Sequence, residues 1–287
     1  MGYQLKNEYL TVTVKKAGAE LTSIKNKEGL EYLWCGDKKY WGRQAPVLFP
    51  IVGKVKHNTY THEGKTYHLS QHGFARDMAF DEVTQKENEL VFCLHANEQT
   101  KEKYPFEFGL NITYTLIKNT IKITYEVENC DKTKMYFTIG AHPAFNCPMV
   151  EGEQFEDYYF EFEKVGATRL IATPDVLLTG EEKAYNDQIV PLSLELFKDD
   201  AIILSKVVSD KVTLKSSKNP HSVSVNRKGM PFLGLWSPVG GAPFVCIEPW
   251  MGHTDYLSNG DELSEKKDFI SLEAKEKFSC SYEITFK

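Results

Sequence analysis

Between residues 80 and 129 the chain is written in alternation: F-D-E-V-T (Phe80 to Thr84), E-L-V-F-C-L-H-A (Glu89 to Ala96), G-L-N-I-T-Y-T-L (Gly109 to Leu116) and N-T-I-K-I-T-Y-E-V-E-N (Asn119 to Asn129). Side chains two apart lie on one face of a strand, so each run presents an apolar face that must be covered by another element. Residues 1–35 read the same way. Leu10, Val12 and Val14 share a face, Gly18 and Ala19 mark a turn, and Leu21 and Ile24 lead through K-N-K-E-G to Tyr32, Leu33 and Trp34. Helical periodicity is almost absent. The best helix candidate, P-L-S-L-E-L-F (Pro191 to Phe197), is barely two turns long. Runs rich in Ile, Thr, Val, Tyr and Phe, broken by turn residues about every ten positions, predict an all-β chain, a large antiparallel β-sandwich or barrel.

No linker, composition break or internal repeat divides the 287 residues, so the expectation is a single domain over residues 1–287, with Thr179 to Gln188 its most loop-like segment. A net charge of −6 argues against nucleic acid or an anionic membrane as partner, because those surfaces select basic patches. Lys101 to Lys103 and Lys266 to Lys267 are short and interleaved with Glu. No run approaches the roughly 18 apolar residues of a membrane helix, and the N-terminus lacks a signal-like apolar core. A cytoplasmic location is expected. Six cysteines (Cys35, Cys93, Cys130, Cys147, Cys246, Cys280) contain no C-x-x-C pair and read as reduced core thiols.

Three stretches carry chemistry. In P-F-V-C-I-E-P-W-M-G-H-T-D (Pro243 to Asp255), Phe244 to Ile247 reads as a buried strand that Pro249 ends, leaving Glu248 at the strand tip. A carboxylate there is paired, kept for chemistry, or simply solvated. M-Y-F-T-I-G-A-H-P-A-F-N-C-P (Met135 to Pro148) delivers His142 in the same way, after an apolar strand and before a proline. An imidazole so placed is a proton donor near neutral pH or a satisfied core histidine. Q-H-G-F-A-R-D (Gln71 to Asp77) places His72 in a loop shaped by Gly73. Ahead of it, Arg43 sits in a proline-punctuated loop, either presenting its fork to a ligand oxygen or stacking on Trp41 at the surface. His57, His62, His68 and His72 are close in sequence but lack the cysteine or H-E-x-x-H context of a zinc site, and no metal is expected.

In that order, Q-H-G-F-A-R-D, G-A-H-P-A-F-N-C-P and F-V-C-I-E-P-W-M-G closely resemble the aldose 1-epimerase (galactose mutarotase) family, in its LacX-type branch. Each motif is weak alone; together they are specific and span most of the chain. The resemblance implies a galactose-mutarotase-like β-supersandwich, action on a monosaccharide (an aldohexose or its phosphate), and no cofactor. It further implies Glu248 as general base, His142 as general acid, His72 as the histidine polarising the sugar near its ring oxygen, and Arg43 as a substrate-binding arginine. Asp200, or alternatively Asp199, corresponds to an aspartate that grips sugar hydroxyls. Lys54 stands where relatives commonly carry Arg.

Anomer interconversion fits these residue types. The hemiacetal loses the proton of its O1 hydroxyl while its ring oxygen gains one, and the opened aldose closes on the other face. A base and an acid on opposite sides of the ring suffice. Phe74, Phe145, Trp236 and Trp250 are candidates for an aromatic floor beneath the sugar. Two further readings share the pocket: a hexose 6-phosphate substrate, with Lys54, Arg76 or Arg43 supplying charge, or a sugar-binding module without turnover. A glycosidase would need a second carboxylate. Whether the chain forms a homodimer is left open.

Overall fold

Each alternating run between residues 80 and 129 becomes a strand. In the computed structural model, which describes residues 2–287, Glu82–Gln85, Glu89–His95, Phe108–Ile117 and Thr120–Asn129 pair antiparallel, each with the next. They extend through Lys277–Phe286, Ser222–Asn226, Lys211–Ser216 and Tyr158–Phe162 to Ile189–Pro191, forming a nine-stranded sheet. Burial fixes the register. In Thr120–Asn129 the side chains of Ile121, Ile123, Tyr125 and Val127 are all buried, and a one-residue slip would turn every one of them to solvent. Each aliphatic so placed is worth about 1.5–3 kcal/mol, which no competing polar face can match.

A second, eight-stranded sheet runs Leu178–Tyr185, Ala167–Ala172, Ile202–Ser205, Phe232–Trp236, Phe244–Met251, Ile139–Ala141 and Val47–Leu48, with Ala144–Asn146 also paired to Phe244–Met251. All its pairings are antiparallel. The antiparallel all-β expectation holds. The one α-helix among the described residues, Glu98–Lys101, is four residues long and capped by Asn97, whose Oδ1 accepts from the Thr100 amide at 3.0 Å.

Three local expectations fail, each for a physical reason. Thr179 to Gln188 is not chiefly a loop: Leu178–Tyr185 is a strand paired antiparallel with Ala167–Ala172 at the edge of the second sheet, where solvent tolerates its polar side chains. Pro191 to Phe197 is not a helix: Ile189–Pro191 pairs as an edge strand, and only Leu194–Phe197 coils, as a 3₁₀ turn. So short a segment with Pro191 at its head cannot nucleate a helix, and burying Phe197 decides its shape. The strand carrying Glu248 does not end at Pro249 but continues to Met251, with Pro249 opposite Leu233. On its other edge Phe244 to Cys246 pair with Ala144–Asn146, while Trp250 and Met251 pair with Ile139–Ala141. Nothing pairs with Ile247 to Pro249 on that edge. A proline is tolerated where the ladder is already interrupted.

Candidate functional site

The interruption is where the site forms. His142 and Pro143 occupy the gap between Ile139–Ala141 and Ala144–Asn146, facing the unpaired edge at Glu248. Along Phe244–Met251, Val245 and Ile247 point into the main core, while Cys246, Glu248 and Trp250 point to the opposite face. On that face the row Ile203, Gly234, Glu248 crosses three neighbouring strands. The missing side chain at Gly234 makes room for the Trp250 ring. His142 Nε2 lies 3.3 Å from Glu248 Oε2, with the two side chains 9% and 1% exposed. Glu248 Oε2 and His142 Nδ1 are buried with no hydrogen-bond partner in the protein. A pair left open this way is unsatisfied until something enters beside it.

Aromatic rings fix the imidazole. Trp41 stacks on His142 with centroids 4.7 Å apart, and Trp236 and His72 meet it edge-on at 5.4 and 5.6 Å. His72 is held by its backbone, its amide donating to the Gly53 carbonyl at 2.6 Å, and its Nδ1 accepts the Gly53 amide at 3.0 Å. With Nδ1 occupied as acceptor, a neutral His72 carries its proton on Nε2, ready to donate. Burial keeps it neutral, aided by the charges of His142, Arg76 and Arg43. Asp200 adopts a left-handed φ of 70°, which aspartate tolerates, and accepts the Trp236 indole N–H at 2.6 Å.

These groups line a cavity of about 250 Å³ whose wall includes Gln71, His72, His142, Asp200, Trp236 and Glu248. Burial acts on the central pair in opposite directions. It pushes the Glu248 carboxyl well above the ordinary value, reinforced by Asp200 and opposed by the Trp250 N–H. It pushes His142 down, to about 3, with Arg76 and Arg43 adding to the shift. Between those limits the pair holds a single proton and no net charge, the arrangement that a buried acid and base reach at least cost.

With the geometry fixed, the chain can be compared with known proteins. The family described as aldose 1-epimerase matches residues 1–269. The chain belongs to the aldose 1-epimerase family. It is 38% identical to the plasmid-encoded protein LacX of Lactococcus lactis subsp. lactis, covering 99% of both chains. Among solved structures it superposes on a galactose mutarotase related enzyme from Lactobacillus acidophilus with a TM-score of 0.97, at 37% identity, covering 100% of this chain and 97% of the other. A galactose mutarotase-like protein from Lactobacillus casei gives a TM-score of 0.93 at 32% identity, with both chains fully covered. The fold is therefore galactose mutarotase-like, as the motifs implied.

Of the positions that the aldose 1-epimerase motifs single out, Glu248, His142, His72 and Asp200 come together, and Trp236 joins them. Phe74 does not. It packs in the core against Phe49, Tyr104 and Phe108, as an apolar ring flanked by buried strands must. Phe145, fully buried, is likewise core. Arg43 stands outside the cavity wall and pairs with Asp77 at 2.9 Å, so it reaches the site through its charge. Lys54 pairs with Asp175 at 2.5 Å. His62, directed at Glu262, packs on Phe106 away from this site, and His57 and His68 stand outside the cavity wall. The structure adds Gln71, Val176, Ile203 and Thr254 to the cavity wall and Trp41 behind His142. Of these, Gln71 and Thr254 fall inside the quoted motifs and Trp41 beside Arg43, whereas Val176 and Ile203 had no local signal. The cysteines are all unpaired, but only Cys147 and Cys246 are buried, against the expectation of six core thiols.

Trp250, a floor candidate that does line the cavity, depends on two glycines. A Cβ on Gly234 would stand 2.4 Å from its ring, and one on Gly140 would stand 2.6 Å away. Its N–H donates to the Ala141 carbonyl at 3.1 Å. Gly234→Val is expected to cost about 1–3 kcal/mol through overpacking and to drive the indole into the cavity. The check is a thermal melt with and without galactose. A variant that keeps the wild-type Tm and the sugar-induced shift would contradict this packing.

Proposed function

We propose that the chain is an aldose 1-epimerase that interconverts the α and β anomers of a hexose, with Glu248 and His142 exchanging protons with the sugar. The observation that carries this reading is the open pair itself: an imidazole and a carboxylate 3.3 Å apart in one cavity. The pair is in contact and not on opposite sides of a ring. That suits the reaction better, because the two oxygens that change protonation, O1 and the ring oxygen, are both bonded to C1.

The proton count closes on this pair. In the direction of ring opening, the shared proton first passes from Glu248 to His142, 3.3 Å away; the imidazolium then gives it to the ring oxygen as the carboxylate takes the O1 proton, and the C1–ring oxygen bond breaks to leave an aldehyde. The pair still holds one proton, now on Glu248. Rotation about C1–C2 presents the other face, and the reverse transfers restore the starting state. Each positioned proton-transfer group is worth about 10²–10⁴-fold. His72 Nε2–H supports the ring oxygen, Asp200 accepts from sugar hydroxyls, and Trp236 and Trp250 supply apolar floor.

NMR exchange or polarimetry on freshly dissolved α-galactose or α-glucose tests the reading. Saturable acceleration supports it; binding without acceleration replaces it with a sugar-binding module. A hexose 6-phosphate is not favoured, because Lys54, Arg43 and Arg76 are already engaged by Asp175, Asp77 and the Gln71 carbonyl.

The pH dependence follows from the pair. Activity needs one shared proton, lost only above the raised Glu248 value and doubled only below the lowered His142 value. The rate is therefore expected to stay level through 6.5, the ordinary imidazole value. An inflection there in a kcat/KM profile would mean that His142 titrates as a free histidine.

A further inference from the structure

Cys246 is the buried nucleophile that the sugar chemistry leaves unused. It lies two residues before Glu248 on the same face of the strand, and its burial is complete. Its sulfur, one nitrogen of His142 and one carboxylate oxygen of Glu248 all lie within 4.8 Å of one another. We propose that these three side chains form a binding site for a thiophilic divalent cation, Zn²⁺ above all, with its fourth position open to the sugar cavity.

Ligands held 2.0–2.3 Å from a tetrahedral zinc stand about 3.3–3.7 Å from one another. His142 Nε2 and Glu248 Oε2 already meet that spacing at 3.3 Å, and Glu248 Oε2 has no competing hydrogen bond. The donor set of imidazole, thiolate and carboxylate matches zinc in softness and excludes Mg²⁺ and Ca²⁺, which take oxygen ligands. Three protein ligands and one open position is the pattern of an accessible zinc site.

Charge balance removes the usual objection to placing a cation in so buried a spot. Without metal, the thiol is neutral and the His142–Glu248 pair shares one proton. Binding displaces the thiol proton and the shared proton, leaving Zn²⁺, one thiolate, one carboxylate and a neutral imidazole. A neutral assembly gives way to a neutral assembly, so no net charge is buried. Two protons leave for each metal bound.

The inference stands on the geometry and not on turnover. A consequence that does rest on the proposed reaction is that zinc and sugar exclude one another, since both need Glu248 and His142.

Zinc chloride titrated calorimetrically into the full chain, in two buffers of different ionisation enthalpy, tests the site. The expected result is one equivalent bound with release of about two protons. Cys246→Ala should weaken binding at least about tenfold and remove one of those protons, while Cys35→Ser, at an exposed thiol, should bind as the wild type does. Cobalt(II) added to the unmutated chain should show thiolate-to-metal charge-transfer absorption, a readout independent of how the variants fold. Absence of that band, absence of binding, or equal affinity in Cys246→Ala overturns the proposal. Those results leave anomer exchange unaffected, and a chain that binds zinc but does not accelerate exchange refutes only the sugar reaction.

Discussion

Glu248→Gln is expected to slow anomer exchange by about 10²–10⁴-fold and at the same time to make the protein more stable at neutral pH. The amide keeps the shape of the side chain but can neither take the O1 proton nor return it. The stability gain follows from the carboxyl's environment. Its folded value is raised well above 4.5, chiefly by burial and secondarily by Asp200. An ionised carboxylate is thus penalised in the folded chain and free in the unfolded one. That term is absent below 4.5 and grows as pH rises toward the folded value. Glutamine carries no such term. The Tm of the variant should exceed that of the wild type at pH 7, and the difference should shrink to nothing in acid. Paired melts across pH, with NMR exchange on fresh α-galactose, check both halves. Undiminished exchange would remove Glu248 from the chemistry, and a destabilised variant at pH 7 would remove the account of its burial.

The second large effect lies just beyond the site. Asp255 is fully enclosed and accepts from Lys266 Nζ at 2.5 Å, from Asn259 Nδ2, and from the amides of Tyr256 and Lys56 at 3.1 and 3.2 Å. Lys266 Nζ also donates to the Gly260 carbonyl at 3.1 Å, and its side chain has no exposed surface. The Asp255 backbone donates to the Lys54 carbonyl and accepts from Leu178, tying the segment after Glu248 to two stretches beside the cavity. Lys266→Ala leaves a buried carboxylate without its cation, a change worth about 3–5 kcal/mol. For a chain of this size that is a fall in Tm of roughly 10 °C. Adding Asp255→Asn should recover part of it, because the stranded charge is removed. Denaturant unfolding of the two variants measures both steps. A loss below about 1 kcal/mol would mean that the pair is solvated.

Much of this was legible in the chain because strand patterning is local. Alternation at Glu89 to Ala96 and Asn119 to Asn129 predicted strands to within a residue or two, since a period of two has only one way to bury its apolar face. The three motifs singled out Glu248, His142 and His72. Phe74 misled because an aromatic residue in a polar loop reads alike whether its ring turns toward a cavity or toward the core. The ion pair of Arg43 was not legible because its partner, Asp77, lies in a separate loop. Pro249 misled because a missing donor matters only if a partner strand is present to miss it.

The sequence by itself determined the class of fold and the family and singled out Glu248 and His142 as the proposed acid–base pair, since each depends on residue type and short-range spacing. The tertiary structure decided that His142 fills a gap in the ladder beside Glu248 and that Gly234 makes room for the Trp250 ring. It also decided that the pair is buried in contact and that Cys246 lies within 4.8 Å of both. Those facts depend on which strands become neighbours and on how much water they exclude, and pairing between residues a hundred positions apart leaves no mark on either one's local sequence.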